Sequence, residues 1–169
     1  MELAQVQKEL DAAEPLVEEA KAALKGLSAK DFQETKAYAN PPAAVQMVFE
    51  CVCHLLVKVA ESVPHQNGKL KAPNVWKVAQ NLMQKPEEFK NMLEGYKDKI
   101  DAQEVTPQGF KAIRDFLNDP EFDPEIIRGK SKAAAGVCAW VINITKYYDV
   151  FVSVEPKRVA VAKAQEELR

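Results

Sequence analysis

The chain has 169 residues, 47% of them hydrophobic and 28% charged, with a formal net charge of −2. That length suits one domain, or one domain with an appendage, and the apolar share is ample for a core. Near-neutral charge argues against a general nucleic-acid binder, and no apolar run reaches membrane-spanning length. The start, Met1-Glu2-Leu3-Ala4-Gln5, is polar and does not read as a signal peptide. Three cysteines, Cys51, Cys53 and Cys138, sit in apolar surroundings. An odd number so placed suits buried thiols in a reducing compartment better than a disulfide framework.

In chain order, Leu3, Val6, Leu10, Ala13, Val17, Ala20, Leu24 and Leu27 recur at alternating spacings of three and four. That is the seam of a coiled coil, with Glu and Lys on the solvated positions. Pro15 sits inside it and predicts a bend. After Leu27 the heptad slips, because Asp31 and Glu34 fall where apolar residues belong. Asn40-Pro41-Pro42 then predicts the end of one helix and the start of another in a new direction. Val45, Val48, Phe49, Val52, Leu55 and Val59 predict a core helix ending near Val63-Pro64. A polar loop follows through Asn74, with Gly68 and Pro73 in it.

Short helices come next. Asn74 caps one over 75–83, and Pro86 starts a second with Phe89, Met92, Leu93 and Tyr96 inward. Thr106-Pro107 opens a third with Phe110, Ile113, Phe116 and Leu117 inward, and Asp123-Pro124 opens a fourth that ends near Gly129. Ser131 is the predicted cap of a long final helix through Trp140, Ile144 and Phe151. Pro156 is expected to interrupt or bend it. Val154, Val161 and Leu168 then recur every seven residues and can pair with the first seam. The returning pattern is short, as if cut from a longer parent. No stretch predicts a sheet.

Chemistry-bearing motifs are few. Cys51, Cys53 and His54 form a C-x-C-H cluster, but Cys53 points away from the other two on a helix, and a tetrahedral metal set is missing. No catalytic constellation, P-loop or glycine fingerprint is present. Arg128, Lys130 and Lys132 surround the start of the long helix, where positive charge opposes the helix dipole. Local stability therefore does not explain them, which leaves two readings, a solvated charge cluster and a docking surface for an acidic partner. Lys69, Lys71 and Lys77 form a second basic region, and Lys85 and Lys90 a third.

Taken in order, several stretches resemble the stalk tip and microtubule-binding domain of dynein heavy chains. They are Ala13-Glu14-Pro15-Leu16, Ser28-Ala29-Lys30-Asp31, Ala39-Asn40-Pro41-Pro42 with Ala43-Ala44-Val45, and Asn118-Asp119-Pro120-Glu121-Phe122. Ser131-Lys132-Ala133-Ala134, Cys138-Ala139-Trp140-Val141 and Val154-Glu155-Pro156-Lys157-Arg158 complete the set. The resemblance covers nearly the whole chain.

It implies an all-α fold: a small globular bundle of about six helices on an antiparallel two-stranded coiled-coil stalk. The outgoing strand would span 1–39, the head 40–153 and the truncated returning strand 154–169. The implied function is binding of the tubulin dimer, with no enzyme chemistry, no cofactor, no nucleic acid and no membrane. The other implied partner is the remainder of the heavy chain. The resemblance places the start of the long helix at the track, with Arg128, Lys130 and Lys132. It makes the helix after Pro42 the other main contact, where Gln46 stands at a position often basic in cytoplasmic relatives. Lys69, Lys71, Lys77, Lys85 and Lys90 are further candidates. Gln46 and the long loop from Val63 to Val75 lean toward an axonemal form. The implied location is the cytoplasm and cytoskeleton, in a cilium or flagellum. Affinity would follow stalk register through a neck hinged at Pro41, Pro42 and Pro156. Two other readings compete: a structural helical hairpin joining ciliary or dynein parts without tubulin, and a small metal enzyme on Cys51, Cys53 and His54.

Overall fold

A computed structural model describes residues 3–66, 68–72 and 74–168. Met1, Glu2, Pro73 and the side chain of Leu3, which figure in the predicted N-terminus, loop and seam, lie outside that description, as do Asn67 and Arg169. The outgoing strand begins as α1 (Leu3–Ala12) and α2 (Glu14–Lys25). Pro15 accounts for the break between them. It occupies the first turn of α2, where a missing N–H leaves no bond unmade. Tight turns bridge the gap, with Ala13 N donating to Leu10 O and Leu16 N to Ala13 O, each at 3.0 Å.

The seam is buried as its spacing predicts. Val6, Ala13, Val17, Ala20, Leu24 and Leu27 are each at most 5% exposed, and Leu10 is half-buried. It falls into two clusters, however. Val6 packs with Val154 and Val161 in a small cluster supported by Leu10 and Val150. Ala13, Val17, Ala20, Leu24 and Leu27 belong to the main core of the head.

The slip after Leu27 is a helix boundary. Gly26 ends α2, and Ser28 starts α3 (Ala29–Lys36). Ser28 Oγ accepts from Asp31 N at 3.3 Å, and Asp31 Oδ2 accepts from Ser28 N at 2.9 Å. This reciprocal capping box satisfies two end donors at once. The helix expected to run to Asn40 therefore stops at Lys25, and its successor stops at Lys36. Pro41 and Pro42 lie beyond, with Pro42 as the N-cap of α4 (Ala43–Leu55).

α4 is the predicted core helix, with Ala44, Val45, Val48, Phe49, Cys51, Val52, Cys53 and Leu55 buried. It ends well before Val63 because a distant group claims its last carbonyl: Tyr96 Oη donates to Leu55 O at 2.6 Å. Lys58 then turns left-handed at φ 68. The polar loop is not wholly irregular. β1 (His65–Gln66) pairs antiparallel with β2 (Lys69–Leu70), and Gly68 at φ 82 supplies the turn.

α5 (Val75–Met83), α6 (Pro86–Glu94), α7 (Tyr96–Asp101), α8 (Pro107–Ala112), α9 (Arg114–Leu117) and α10 (Pro124–Arg128) follow. They outnumber the predicted short helices because Gly95 and Ile113 each divide one. Asn74, Thr106 and Asp123 cap as their types predict, each accepting a backbone N–H of the first turn. α8 can seat against α4 only because Gly109 lacks a side chain, since a Cβ there would fall 2.4 Å from His54 O.

α11 (Lys132–Glu167) closes the chain. Ser131 Oγ caps it by accepting from Ala134 N at 3.0 Å. Pro156 does not interrupt this helix. It removes one N–H at an exposed position, while the turns around it are held by Val154 and Val161 against α1 and by Glu155 with Arg158 at 2.6 Å. Aromatic contacts tie the head together. Phe32 of α3 meets Phe89 of α6 edge-on at 5.6 Å, and Phe49 of α4 meets Trp76 of α5 at 5.7 Å. Trp140 of α11 meets Tyr96 at 5.4 Å and donates to Leu93 O at 3.0 Å.

Candidate functional site

The basic start of α11 is built by the turn leaving α10. Ile127 O accepts from Lys130 N at 2.8 Å and from Ser131 N at 2.9 Å, so the chain reverses tightly between the two helices. Arg128, Lys130 and Lys132 are all exposed on this turn. Arg128 pairs with Glu125 at 3.0 Å, and Lys132 Nζ stands 3.8 Å from Asp31. The Arg128–Glu125 pair is largely solvated and loose, whereas the Asp31 side chain is only 15% exposed beneath a more open Lys132. Asp31 has its pKa lowered, first by the Ser28 N–H it accepts and then by Lys132. It remains an anion beside the cluster.

Tyr38 links this turn to α5. Its hydroxyl donates to Lys130 O at 3.0 Å, and its carbonyl accepts from Trp76 Nε1 at 2.9 Å and Gln80 Nε2 at 3.2 Å. Gln80 Nε2 also reaches Lys36 O at 2.9 Å. α5, which carries the exposed Lys77, thus flanks the same neck as Lys130 and Lys132. Gln46 is exposed on the first turn of α4, just past the prolines, with its N–H given to Pro42 O.

The remaining lysines part company. Lys90 is half-buried and donates to Leu27 O at 2.8 Å, so it serves the frayed end of α2 rather than the open surface. Lys85 is exposed and lies 3.9 Å from Glu88. Lys71 donates to Gln66 Oε1 at 2.6 Å within the hairpin. Lys69 lines a cleft of about 440 Å³ with His54, Leu70, Gln108, Lys111 and Asp115. Lys111 and the partners Asp31, Thr35 and Tyr38 were missed by sequence reasoning. Only the S-x-x-D spacing of the capping box hinted that this segment folds on its own.

The C-x-C-H cluster turns inward. Cys51 and Cys53 are buried, and burial pushes both thiols well above their ordinary pKa. Thiols held protonated are poor metal ligands and poor nucleophiles. Among the described residues, no group of three His, Cys, Asp or Glu could hold a metal ion. His54 is half-buried, and desolvation lowers its pKa below the ordinary 6.5. Its protonation therefore opposes folding. This contribution is complete above about pH 6.5 and is lost as the pH falls from there through the lower folded value. Thermal melts from pH 7 to 5 should show an acid decline in Tm that His54→Gln flattens. An unchanged decline in that variant would clear His54 of the effect.

Comparison with known proteins gives one consistent answer. The family model described as "MT: Microtubule-binding stalk of dynein motor" matches residues 2–169. The ciliary dynein beta chain of Tripneustes gratilla is 40% identical over 161 residues, which cover 95% of this chain and 3% of that one. The alpha chain of the flagellar outer arm dynein of Chlamydomonas reinhardtii is 41% identical over 165 residues, covering 98% of this chain and 3% of that one. The chain therefore spans only a small part of the length of these relatives. A solved structure described as the "Microtubule Binding Domain of DYNEIN-C" superposes with a TM-score of 0.64 at 33% identity, covering 90% of this chain and 96% of that one. By full-length family match and shared fold alike, this chain belongs to the family of microtubule-binding stalks of dynein motors.

Proposed function

We propose that this chain binds the microtubule as the tip of a dynein motor, and that it does so without chemistry of its own. One observation carries the reading. A single uninterrupted helix, α11, bears the basic turn at its start and the stalk residues Val154 and Val161 near its end. The surface suited to an acidic track and the seam of the stalk are thus parts of one continuous helix. The partners are the tubulin dimer on one side and the remainder of the heavy chain, reached through the strands 1–39 and 154–169, on the other. Arg128, Lys130, Lys132, Lys77 and Gln46 form the contact face around the neck, with Lys69, Lys71 and Lys85 farther out. Relatives named for cilia and flagella support an axonemal location within the cytoskeleton.

Stalk register sets the affinity. α3 lies between two interruptions of the outgoing strand, Gly26-Leu27-Ser28 behind it and Pro41-Pro42 ahead. A shift of α2 along α11 reaches α4 through that short link. The test is microtubule co-sedimentation across a salt series, with folding verified by circular dichroism. Binding should be firm at low salt and weaken steadily as salt rises, because exposed charges are screened. Folded protein that never pellets, while still retaining dynein or ciliary proteins in a pull-down, would identify a structural hairpin instead.

A further inference from the structure

α3 and the turn after it meet the start of α11 residue by residue. Asp31, Thr35 and Tyr38 recur at the i, i+4, i+7 spacing of one helix face. They contact Lys132, Ser131 and Lys130 respectively, in antiparallel order. Lys132 Nζ is 3.8 Å from Asp31 Oδ2, Thr35 Oγ1 and Ser131 Oγ share a hydrogen bond of 2.5 Å, and Tyr38 Oη donates to Lys130 O at 3.0 Å. The middle contact is the strongest anchor. Thr35 is 2% exposed and Ser131 is 8% exposed, and Ser131 is itself the cap of α11. Thr35 Oγ1 is fixed in turn, lying 3.1 Å from Asp31 O within its own helix. The other face of α3 buries Phe32 fully against Phe89.

We propose that Thr35 and Tyr38 are positioning residues for microtubule binding. They clamp the turn at Lys130 and Ser131, so that the ammonium groups of Lys130 and Lys132 start from a fixed backbone. The inference rests on the track-binding reading above and adds residues that need not touch tubulin. A cluster ordered in advance loses less freedom on binding. Removing the clamp therefore lowers affinity while leaving the number of charges, and with it the salt dependence, as it was.

Thr35→Val keeps the shape and removes the hydroxyl, Tyr38→Phe removes only the phenolic oxygen, and Thr35→Ser restores the hydroxyl. Co-sedimentation over a salt series should show Thr35→Val and Tyr38→Phe binding about fivefold more weakly, the scale of one hydrogen bond. Their salt slopes should match the parent, and Thr35→Ser should recover its affinity. Binding within twofold of the parent, a changed slope, or failure of serine to restore affinity would each overturn the proposal. Amide hydrogen exchange at Ala134 and Ala135, whose N–H groups bond to Ser131, reads the clamp without microtubules. Faster exchange there in Thr35→Val supports the clamp, and unchanged exchange overturns it. If the parent protein itself never pellets, the track-binding reading fails, and the exchange measurement still decides whether the clamp exists.

Discussion

Reversing two charges with Arg128→Glu and Lys132→Glu should weaken microtubule pelleting at least about tenfold at low salt. Each site changes by two charge units, and an exposed pair at contact distance is worth about 1 kcal/mol in water, more where water is partly excluded. The same change should leave the fold intact. Arg128 and Lys132 are exposed. The Arg128–Glu125 pair is solvated and contributes little, and the Lys132 ammonium stands 3.8 Å from Asp31, whose carboxylate keeps its bond from Ser28 N without it. A glutamate in the first turn of α11 also suits the helix dipole better than the lysine it replaces. The carboxylate that Lys132→Glu brings beside Asp31 adds local repulsion, which salt screens. Circular dichroism should therefore be unchanged while pelleting falls and the salt slope becomes shallower. Parent-like pelleting across the salt series would remove this turn from the contact surface. The effect differs in kind from that of Thr35→Val, which should lower affinity at constant slope.

How much of this could be read beforehand depends on the range of the interaction. Caps are local, so Asn74, Thr106, Asp123 and Ser131 were recognisable from type and position, and each accepts its first-turn N–H. The seam was recognisable from period alone, because burial on a helix repeats with the helix. The ends of α2 and α4 were not. Lys90 holds Leu27 O from 63 residues away, and Tyr96 takes Leu55 O from 41 residues away. No local pattern announces such partners. The interruption that Pro156 suggests is absent for a related reason. Proline lowers helix propensity, but packing of Val154 and Val161 on α1 outweighs one missing hydrogen bond in a helix of 36 residues. The basic turn at Arg128, Lys130 and Lys132 stood out because it opposes a helix dipole. The residues that hold it did not, since Tyr38 and Lys130 lie 92 positions apart.

Gly136→Val should be the most damaging single change to the junction between stalk and head. Gly136 lies in α11 where α2 crosses it, and a Cβ there would fall 2.8 Å from Ala23 O and 2.8 Å from a methyl of Leu27. The Leu27 side chain can rotate, but the Ala23 carbonyl belongs to the backbone of α2 and cannot. Two effects oppose each other. Removing a helical glycine gains up to about 1 kcal/mol of helix propensity, less for a β-branched residue. Overpacking a close helix crossing costs about 1–3 kcal/mol, and the added methyl groups push valine toward the upper end. The clash wins, and at about 2–4 °C per kcal/mol for a chain of this size the melting temperature should drop by several degrees. Gly26→Ala is the matched control, because a Cβ there meets nothing within 4 Å and the backbone angle of −78° suits any residue. It should melt at or slightly above the parent temperature. A Gly136→Val protein as stable as the parent would mean that α2 shifts enough to admit the side chain at no cost, and that this crossing does not fix the stalk register near the head.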